Sequence, residues 1–212
     1  NSLHMLYSQK ENSYSPQGSR SPFKEKSPIS SPLKQPRNPA TYADYDASYQ
    51  PTSKSQIVGT PIEIIQDKLY WVSDLKPPQN FKNAFFFNID KDLNYFPFNK
   101  DFGPLNLAMV HRYSRELARL LKDPNYDDNK IFHYCTSKDP GDKMVNGAFL
   151  MGAFMIVILK MSAEQAYEKF RPYHSILKHY RDASKGDCFY NCTLLHVLQG
   201  LEYGVKFGWY DF

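Results

Sequence analysis

The chain has 212 residues, enough for one domain of ordinary size and a tail, and its net charge is +4. This charge is well below that of a dedicated nucleic-acid-binding protein, so nucleic acid is not expected as a partner. The three cysteines, Cys135, Cys188 and Cys192, cannot all pair and lack a CxxC spacing, so no disulfide framework, metal site or cofactor is predicted. The first residues lack the basic start and apolar core of a signal peptide, and a reducing cytoplasmic or nuclear compartment is therefore expected.

Residues 1–55 have the composition of a disordered tail. They contain seven prolines, twelve serines and few aliphatic residues, and seven Lys/Arg against four Asp/Glu give them a charge of +3. Such a segment cannot bury enough apolar surface to offset the cost of ordering its backbone, so alone it is expected to be disordered. The sequence therefore divides into a tail, residues 1–55, and a folded domain, residues 56–212.

Four Ser-Pro steps lie close together in the tail, at Ser15, Ser21, Ser27 and Ser31. In two of them a lysine follows two residues after the proline, the pattern that cyclin-dependent kinases favour. Phosphorylation of all four serines would add about −6 to −8 of charge and reverse the sign of the tail. The tail is interpreted as a regulated segment that docks on a partner surface; a Ser/Pro-rich linker with chance kinase matches is the alternative.

The folded part begins with strand signals. Two short β-type runs within residues 62–73 flank a turn at residues 66–68, and residues 84–89 are an apolar run of strand length. The segment DFGP at residues 101–104 then predicts a helix start with Pro104 in the first turn. Apolar residues keep helical spacing from there to Leu121.

A strand over residues 131–134 and a long apolar helix over residues 144–159 follow. The apolar run has 16 residues and contains Asn146, whereas a membrane span needs roughly 20 apolar residues. No membrane span is therefore predicted, and the helix is expected in the centre of the fold.

The last third of the chain predicts two further helices. The sequence SAEQ at residues 162–165 is a capping box that opens a short helix through Phe170, and residues 192–201 begin the final helix. Strands separated by helices, one of them apolar on all sides, predict an α/β fold with a central mixed sheet and helices on both faces.

The stretch HYCTSKDPGDKMVNGAF, beginning at His133, has the strand, cysteine loop and helix of a cysteine phosphatase site. Such a site needs a thiolate whose pKa is lowered by a helix N-terminus and backbone N–H groups. It also needs an arginine that grips the phosphoryl oxygens and an acid that protonates the leaving oxygen.

The stretch does not meet these requirements. Six residues after Cys135 stands Gly141 instead of arginine, and the next cation, Lys143, lies beyond the normal length of the loop. Asp139 and Asp142 would repel a phosphate dianion. The loop is therefore interpreted as a degenerate phosphate loop, and no catalytic residue is predicted. Its members are His133, Cys135, Asp139, Gly141 and Lys143.

Several single residues have a structural interpretation beside the catalytic one. Asp101 lies 34 residues before Cys135, a suitable separation for a general acid, but a cap or turn role at the helix start is favoured. His133 precedes the loop as a phosphatase histidine would, although a histidine at a strand end is more often structural. Cys135 could equally be a small buried residue.

The segments LYWVSD, DFGPLNLAMVHRY, HYCT with its apolar helix, SAEQAY, RDASKGDCFYNCTLLHVLQG and GWYDF stand in this order along the chain. Together they resemble the N-terminal, non-catalytic domain of the mitotic-exit dual-specificity phosphatases, the cell-division-cycle-fourteen family, over roughly residues 60–212. The resemblance implies a dual-specificity-phosphatase-like domain. In the family a second domain carries the catalytic cysteine loop, and the first helps form an acidic groove that favours a basic residue after a phosphoserine-proline site.

Glu164 matches the region where the family carries acidic groove residues, with Gln165 in place of what is often a second acid. The simpler interpretation is an exposed glutamate in a first helical turn, favoured by the helix dipole.

Two functions follow from the resemblance. The adopted prediction is a pseudophosphatase scaffold whose tail docks on a microtubule or ciliary assembly, in the cytoplasm at the cytoskeleton, cilium or centrosome, or in the nucleus. The alternative is the substrate-recognition half of an active phosphatase. The catalytic pattern, His-Cys followed by five residues and Arg, is absent from the sequence up to Phe212 and would then belong to a separate domain. A phosphatase catalytic domain would then be the partner.

Overall fold

The computed structural model describes residues 57–74, 76, 83–136 and 142–212. All of them belong to one compact unit of the chain, residues 51–212. The four tail serines and the loop positions Asp139 and Gly141 lie outside the described residues. The predictions made for them, and the domain boundary after residue 55, stay predictions.

Within the described residues, four strands form a mixed sheet in the order β1-β2-β4-β3. β1 pairs antiparallel with β2, and both β2 and β3 run parallel to β4. The predicted turn joins the first two strands, where the Lys68 backbone N–H donates to the Ile65 carbonyl at 3.0 Å. The mixed sheet and the hairpin at its edge are thus confirmed. The strands are β1 (Ile62–Ile65), β2 (Leu69–Asp74), β3 (Ala84–Phe87) and β4 (Lys130–Thr136).

In the described ranges, four α-helices follow or separate these strands. They are α1 (Leu107–Leu121), α2 (Asp142–Val157), α3 (Ala163–Lys169) and α4 (Leu194–Lys206). Capping boxes at Ser162 and Thr193 fix where α3 and α4 begin. The helix predicted at the SAEQ sequence is therefore confirmed, while the final helix starts two residues later than predicted because Thr193 caps it.

The start of α1 corrects the sequence prediction. Pro104 was expected in the first turn, but the helix begins at Leu107. The residue before it, Asn106, has an extended backbone, and its side chain accepts a hydrogen bond from the Met109 backbone N–H at 3.0 Å. Asparagine is a strong N-cap residue, so its side chain, three positions before that N–H, fixes the helix start.

α2 is the central element of the described fold. Every residue of this helix from Met144 to Val157 is buried, and it contacts α1, α3, α4, β2 and β4. Gly152 permits the close approach of α4, because a Cβ there would lie 2.7 Å from a methyl carbon of Leu198. Among the described residues, no helix combines the length and apolarity that a membrane crossing requires.

The two faces of the sheet carry different contacts. On the first face, Trp71 packs edge-on against Phe170 and Tyr173, and its neighbour in the register, His133, meets α1 and α2. On the second face, Tyr70, Phe132 and Phe86 form a stacked row with centroids 4.7 Å apart. The side-chain contacts that position the described helices thus involve the first face. The sequence predicts helices on both faces of the sheet.

Candidate functional site

The candidate site lies where β4 ends and α2 begins. His133 and Cys135 occupy the carboxyl-terminal half of β4, and Asp142 opens α2. These are the strand and the helix between which the phosphate loop is predicted. The structure brings His133, Cys135 and the first turns of α2 together on the first face of the sheet.

Cys135 is fully buried beneath α2. Its Sγ lies 3.6 Å from the Val72 carbonyl oxygen, to which the thiol donates, and a Cβ on Gly147 would approach the sulfur to 3.0 Å. Burial raises the pKa of the Cys135 thiol well above its usual value, and the Asp90 carboxylate raises it further. A nucleophilic cysteine needs the opposite shift, because the thiolate is the reactive form. The geometry therefore favours a protonated, structural cysteine.

His133 is a buried neutral imidazole. Its Nδ1 forms a 2.8 Å hydrogen bond with the Tyr113 hydroxyl, and its ring stacks on Phe87 with centroids 5.0 Å apart. Burial lowers the pKa of His133 to about 3. Tyr113 belongs to the helix predicted up to Leu121, but its contact with this histidine, 20 residues further along the chain, was not predicted from the sequence.

The first turns of α2 line a cavity of about 360 Å³ together with the segment from Ile89 to Leu105. Lys143 lies on this lining, as does Asp142. From the sequence, Asp142 is expected to be a free negative charge, but its Oδ1 lies 2.5 Å from the Lys178 Nζ. This ion pair, from residues 36 positions apart, offsets the charge that was expected to repel a phosphate.

Asp101 has the turn role that the sequence analysis favours. Its carboxylate accepts hydrogen bonds from the Tyr95 hydroxyl and from the backbone N–H groups of Asn99 and Phe98. These bonds, the Tyr95 bond foremost, lower the pKa of Asp101 to about 2. An acid that is ionised at neutral pH has no proton to give to a leaving group.

Two polar residues that the sequence analysis did not select shape the end of β4. The Asn88 side chain donates to the Tyr134 carbonyl at 2.8 Å, and the Asp90 carboxylate accepts from the Thr136 backbone N–H at 2.9 Å. Their position directly after β3 could have predicted this contact, since the carboxyl ends of parallel strands meet at one edge of a sheet.

Glu164 lies apart from the cavity, in the first turn of α3. Its carboxylate accepts a hydrogen bond from the Gln199 side chain at 2.8 Å, and this bond lowers the pKa of Glu164. The neighbouring backbone N–H of Ala163 donates to Glu202 at 3.1 Å. The structure therefore places Glu164 at the contact of α3 with α4, where the Gln199 side chain donates to it, a contact that was not predicted from the sequence.

Within the part of the chain that the structure describes, no group of three or more His, Cys, Asp or Glu side chains is placed to hold a metal ion.

Comparison with known proteins identifies the family. The sequence model of the family described as "Dual specificity protein phosphatase, N-terminal half" matches residues 63–204. The chain is 42% identical over 155 residues to mouse dual specificity protein phosphatase CDC14A, a match that covers 71% of this chain. It is 32% identical over 174 residues to the tyrosine-protein phosphatase cdc-14 of Caenorhabditis elegans, with 77% of this chain covered.

The chain belongs to the CDC14 family of dual specificity protein phosphatases.

The CDC14 match concerns the N-terminal half of these phosphatases. It spans about a quarter of the relatives' length, 25% of the mouse protein and 24% of the worm protein. The resemblance that the sequence segments carried is therefore confirmed, and so is the phosphatase-like α/β domain.

Proposed function

We propose that this chain is a phosphatase-like scaffold that binds protein partners and does not itself hydrolyse phosphate esters. The observation that carries the proposal is the position of Cys135 beneath α2. A phosphoryl group could reach the sulfur only if α2 moved away from the sheet, and α2 is the most buried helix of the described fold. The raised pKa of the thiol points in the same direction.

The partner that suits this scaffold is an acidic protein lattice such as a microtubule or a ciliary assembly. The tail, residues 1–55, carries a charge of +3, which attracts an acidic surface. Phosphorylation of Ser15, Ser21, Ser27 and Ser31 would reverse that charge and release the tail. The protein would then act in the cytoplasm at the cytoskeleton, cilium or centrosome, or in the nucleus.

A second candidate is the substrate-recognition half of an active phosphatase that acts on phosphoserine-proline sites. The chain spans 25% of the length of the mouse relative. This favours the second candidate, since a catalytic domain could complete the protein. Glu164 also favours it, because this exposed carboxylate would attract a basic residue that follows the phosphosite.

Hydrolysis of an aryl phosphate tests the non-catalytic role. We expect the purified chain and its Cys135→Ser variant to release aryl alcohol at the same background rate, because the thiol is buried and protonated. Activity in the first protein that disappears in the second would contradict the proposal.

Co-sedimentation with microtubules tests the docking role of the tail. We expect the full chain to pellet with microtubules and a chain without residues 1–55 to remain largely in the supernatant. Pelleting that is unchanged by the deletion would contradict tail docking.

The second candidate predicts a different result. Added to a separately purified CDC14 catalytic domain, the chain would raise kcat/KM for a phosphoserine-proline peptide with a following lysine, and Glu164→Gln would reduce the gain. Under the scaffold proposal, kcat/KM stays constant.

A further inference from the structure

One side of α1 and its C-cap carry a stripe of four cations, which we call the basic stripe: the half-buried Arg112 and the exposed Arg115, Arg119 and Lys122. The spacing of three, four and three residues places all four on one side of an α-helix. The buried residues of α1, Val110, Tyr113, Ser114 and Leu117, occupy the opposite side. The stripe is therefore a surface feature of a helix that its other face anchors to the core.

The basic stripe is a local excess of charge on a nearly neutral domain. Residues 56–212 contain 19 Lys/Arg and 18 Asp/Glu, which nearly balance. Four of the 19 cations nevertheless stand within 11 consecutive residues. The one acid on α1 is Glu116, whose carboxylate lies 3.1 Å from the Arg119 Nε and 3.5 Å from the Arg115 Nη2. This single carboxylate holds the two guanidinium groups in place. It leaves the net charge of the stripe positive.

These ion pairs can be exchanged for pairs with an incoming carboxylate. The side chains of Arg115 and Arg119 are 65% and 53% exposed. Exposed ion pairs contribute only about 0–1 kcal/mol each, so a partner carboxylate can compete with Glu116 at little cost. Guanidinium groups also bind carboxylates through two parallel hydrogen bonds, which favours an acidic partner.

The dimensions of the basic stripe define its partner. Ten residues separate the first and the last cation, which corresponds to about 15 Å along the helix axis. An extended polypeptide covers that distance with roughly five residues. Beyond the stripe, Asp127 and Asp128 are exposed in the turn after the short 3-10 helix Pro124–Tyr126 and would repel an acidic segment there.

We propose that the basic stripe docks a run of roughly five acidic residues in an extended segment of a protein partner. The inference rests on the proposed scaffold function and deepens it, because it gives the folded domain a contact of its own with an acidic lattice, separate from that of the tail.

Peptide binding by the full chain tests the inference. The probe is a fluorescein-labelled polyglutamate peptide, with labelled polyglutamine of the same length as reference, and the readout is fluorescence anisotropy. The test variant combines Arg115→Gln, Arg119→Gln and Lys122→Gln. The control variant combines Lys91→Gln, Lys185→Gln and Lys206→Gln, three exposed positions on other segments with the same change in charge.

We expect the test variant to weaken polyglutamate binding about tenfold, through the loss of three charge-assisted contacts, and the control variant to change it less than about twofold. Binding should also weaken as salt is added. Equal effects of the two variants would overturn the inference, because the peptide would then respond only to total charge.

Microtubule co-sedimentation of the same variants separates this inference from the proposed function. Pelleting that depends on residues 1–55, together with equal polyglutamate binding by the two variants, overturns the inference and leaves the proposed function intact. Polyglutamate binding that depends on the stripe, without any pelleting of the full chain, supports the inference and overturns the microtubule proposal.

Discussion

Tyr113, His133 and Cys135 form a buried polar cluster between β4 and the two helices above it. Each of these groups is uncharged at neutral pH, because burial raises the pKa values of Tyr113 and Cys135 and lowers that of His133. Neutral forms are favoured wherever water is excluded and no opposite charge is near. At the residue scale, the cluster therefore resembles a core contact more closely than an active site.

The pH dependence of stability follows from His133. The folded protein keeps the imidazole neutral down to about pH 3, whereas the unfolded chain protonates it near its ordinary pKa of 6.5. Between these values the unfolded state binds more protons, so the contribution is fully present above pH 6.5 and is lost as the pH falls. We expect the free energy of unfolding to drop by about 2 kcal/mol from pH 7 to pH 5 through this group.

Urea denaturation at pH 7, 6 and 5 measures this effect, with His133→Gln as the matched variant because glutamine is polar and does not titrate in this range. The variant should lose the His133 component of the slope while keeping that of other groups. Parallel pH profiles for the two proteins would show that the buried histidine is not the cause.

At the scale of single elements, helix caps decide where the helices begin. Asn106, Ser162 and Thr193 each have an extended backbone and a side chain that accepts a hydrogen bond from a first-turn N–H group. These N–H groups have no partner inside the helix, so a capping side chain stabilises the first turn. The same physics explains why α1 starts after Asn106 and not at Pro104.

The Asn106 cap makes a measurable prediction. Asn106→Ala removes the acceptor for the Met109 N–H and should lower the free energy of unfolding by about 1 kcal/mol. Asn106→Ser retains a capping oxygen and should stay close to the wild type. Thermal or urea unfolding of the three proteins tests this, and an alanine variant as stable as the serine variant would contradict the assigned cap.

At the scale of the whole molecule, α2 joins the described elements into one core. It contacts three other helices and two strands, and its run from Met144 to Val157 is buried. A helix that is apolar on all sides can be stable only when neighbours cover every face. The stability of the domain should therefore depend strongly on the side chains of this helix.

Phe154 tests that dependence, since it is a fully buried side chain of α2. Phe154→Ala should lower the free energy of unfolding by about 3–5 kcal/mol, through lost burial and the cavity left behind. Phe96→Ala is the matched control, because this phenylalanine is 86% exposed and its loss should change stability by less than about 0.5 kcal/mol. Similar denaturation midpoints for the two variants would contradict the central role of α2.

Local patterns in the sequence determined the elements and the family. The turn after Ile65, the capping box at Ser162 and the apolar run of α2 were predictable because each depends on residues within a few positions of one another. The motif segments likewise sufficed to place the chain among the CDC14 phosphatases.

The tertiary structure alone decided the state of the candidate site. The missing arginine was visible in the sequence, but the burial of Cys135, the bond between His133 and Tyr113 and the pairing of Asp142 with Lys178 were not. Each of these depends on groups that are distant in the chain and that meet only when α1 and α2 pack on the sheet. Burial and neighbouring charge set the protonation of a side chain, so its chemistry is fixed by packing and not by its place in a motif.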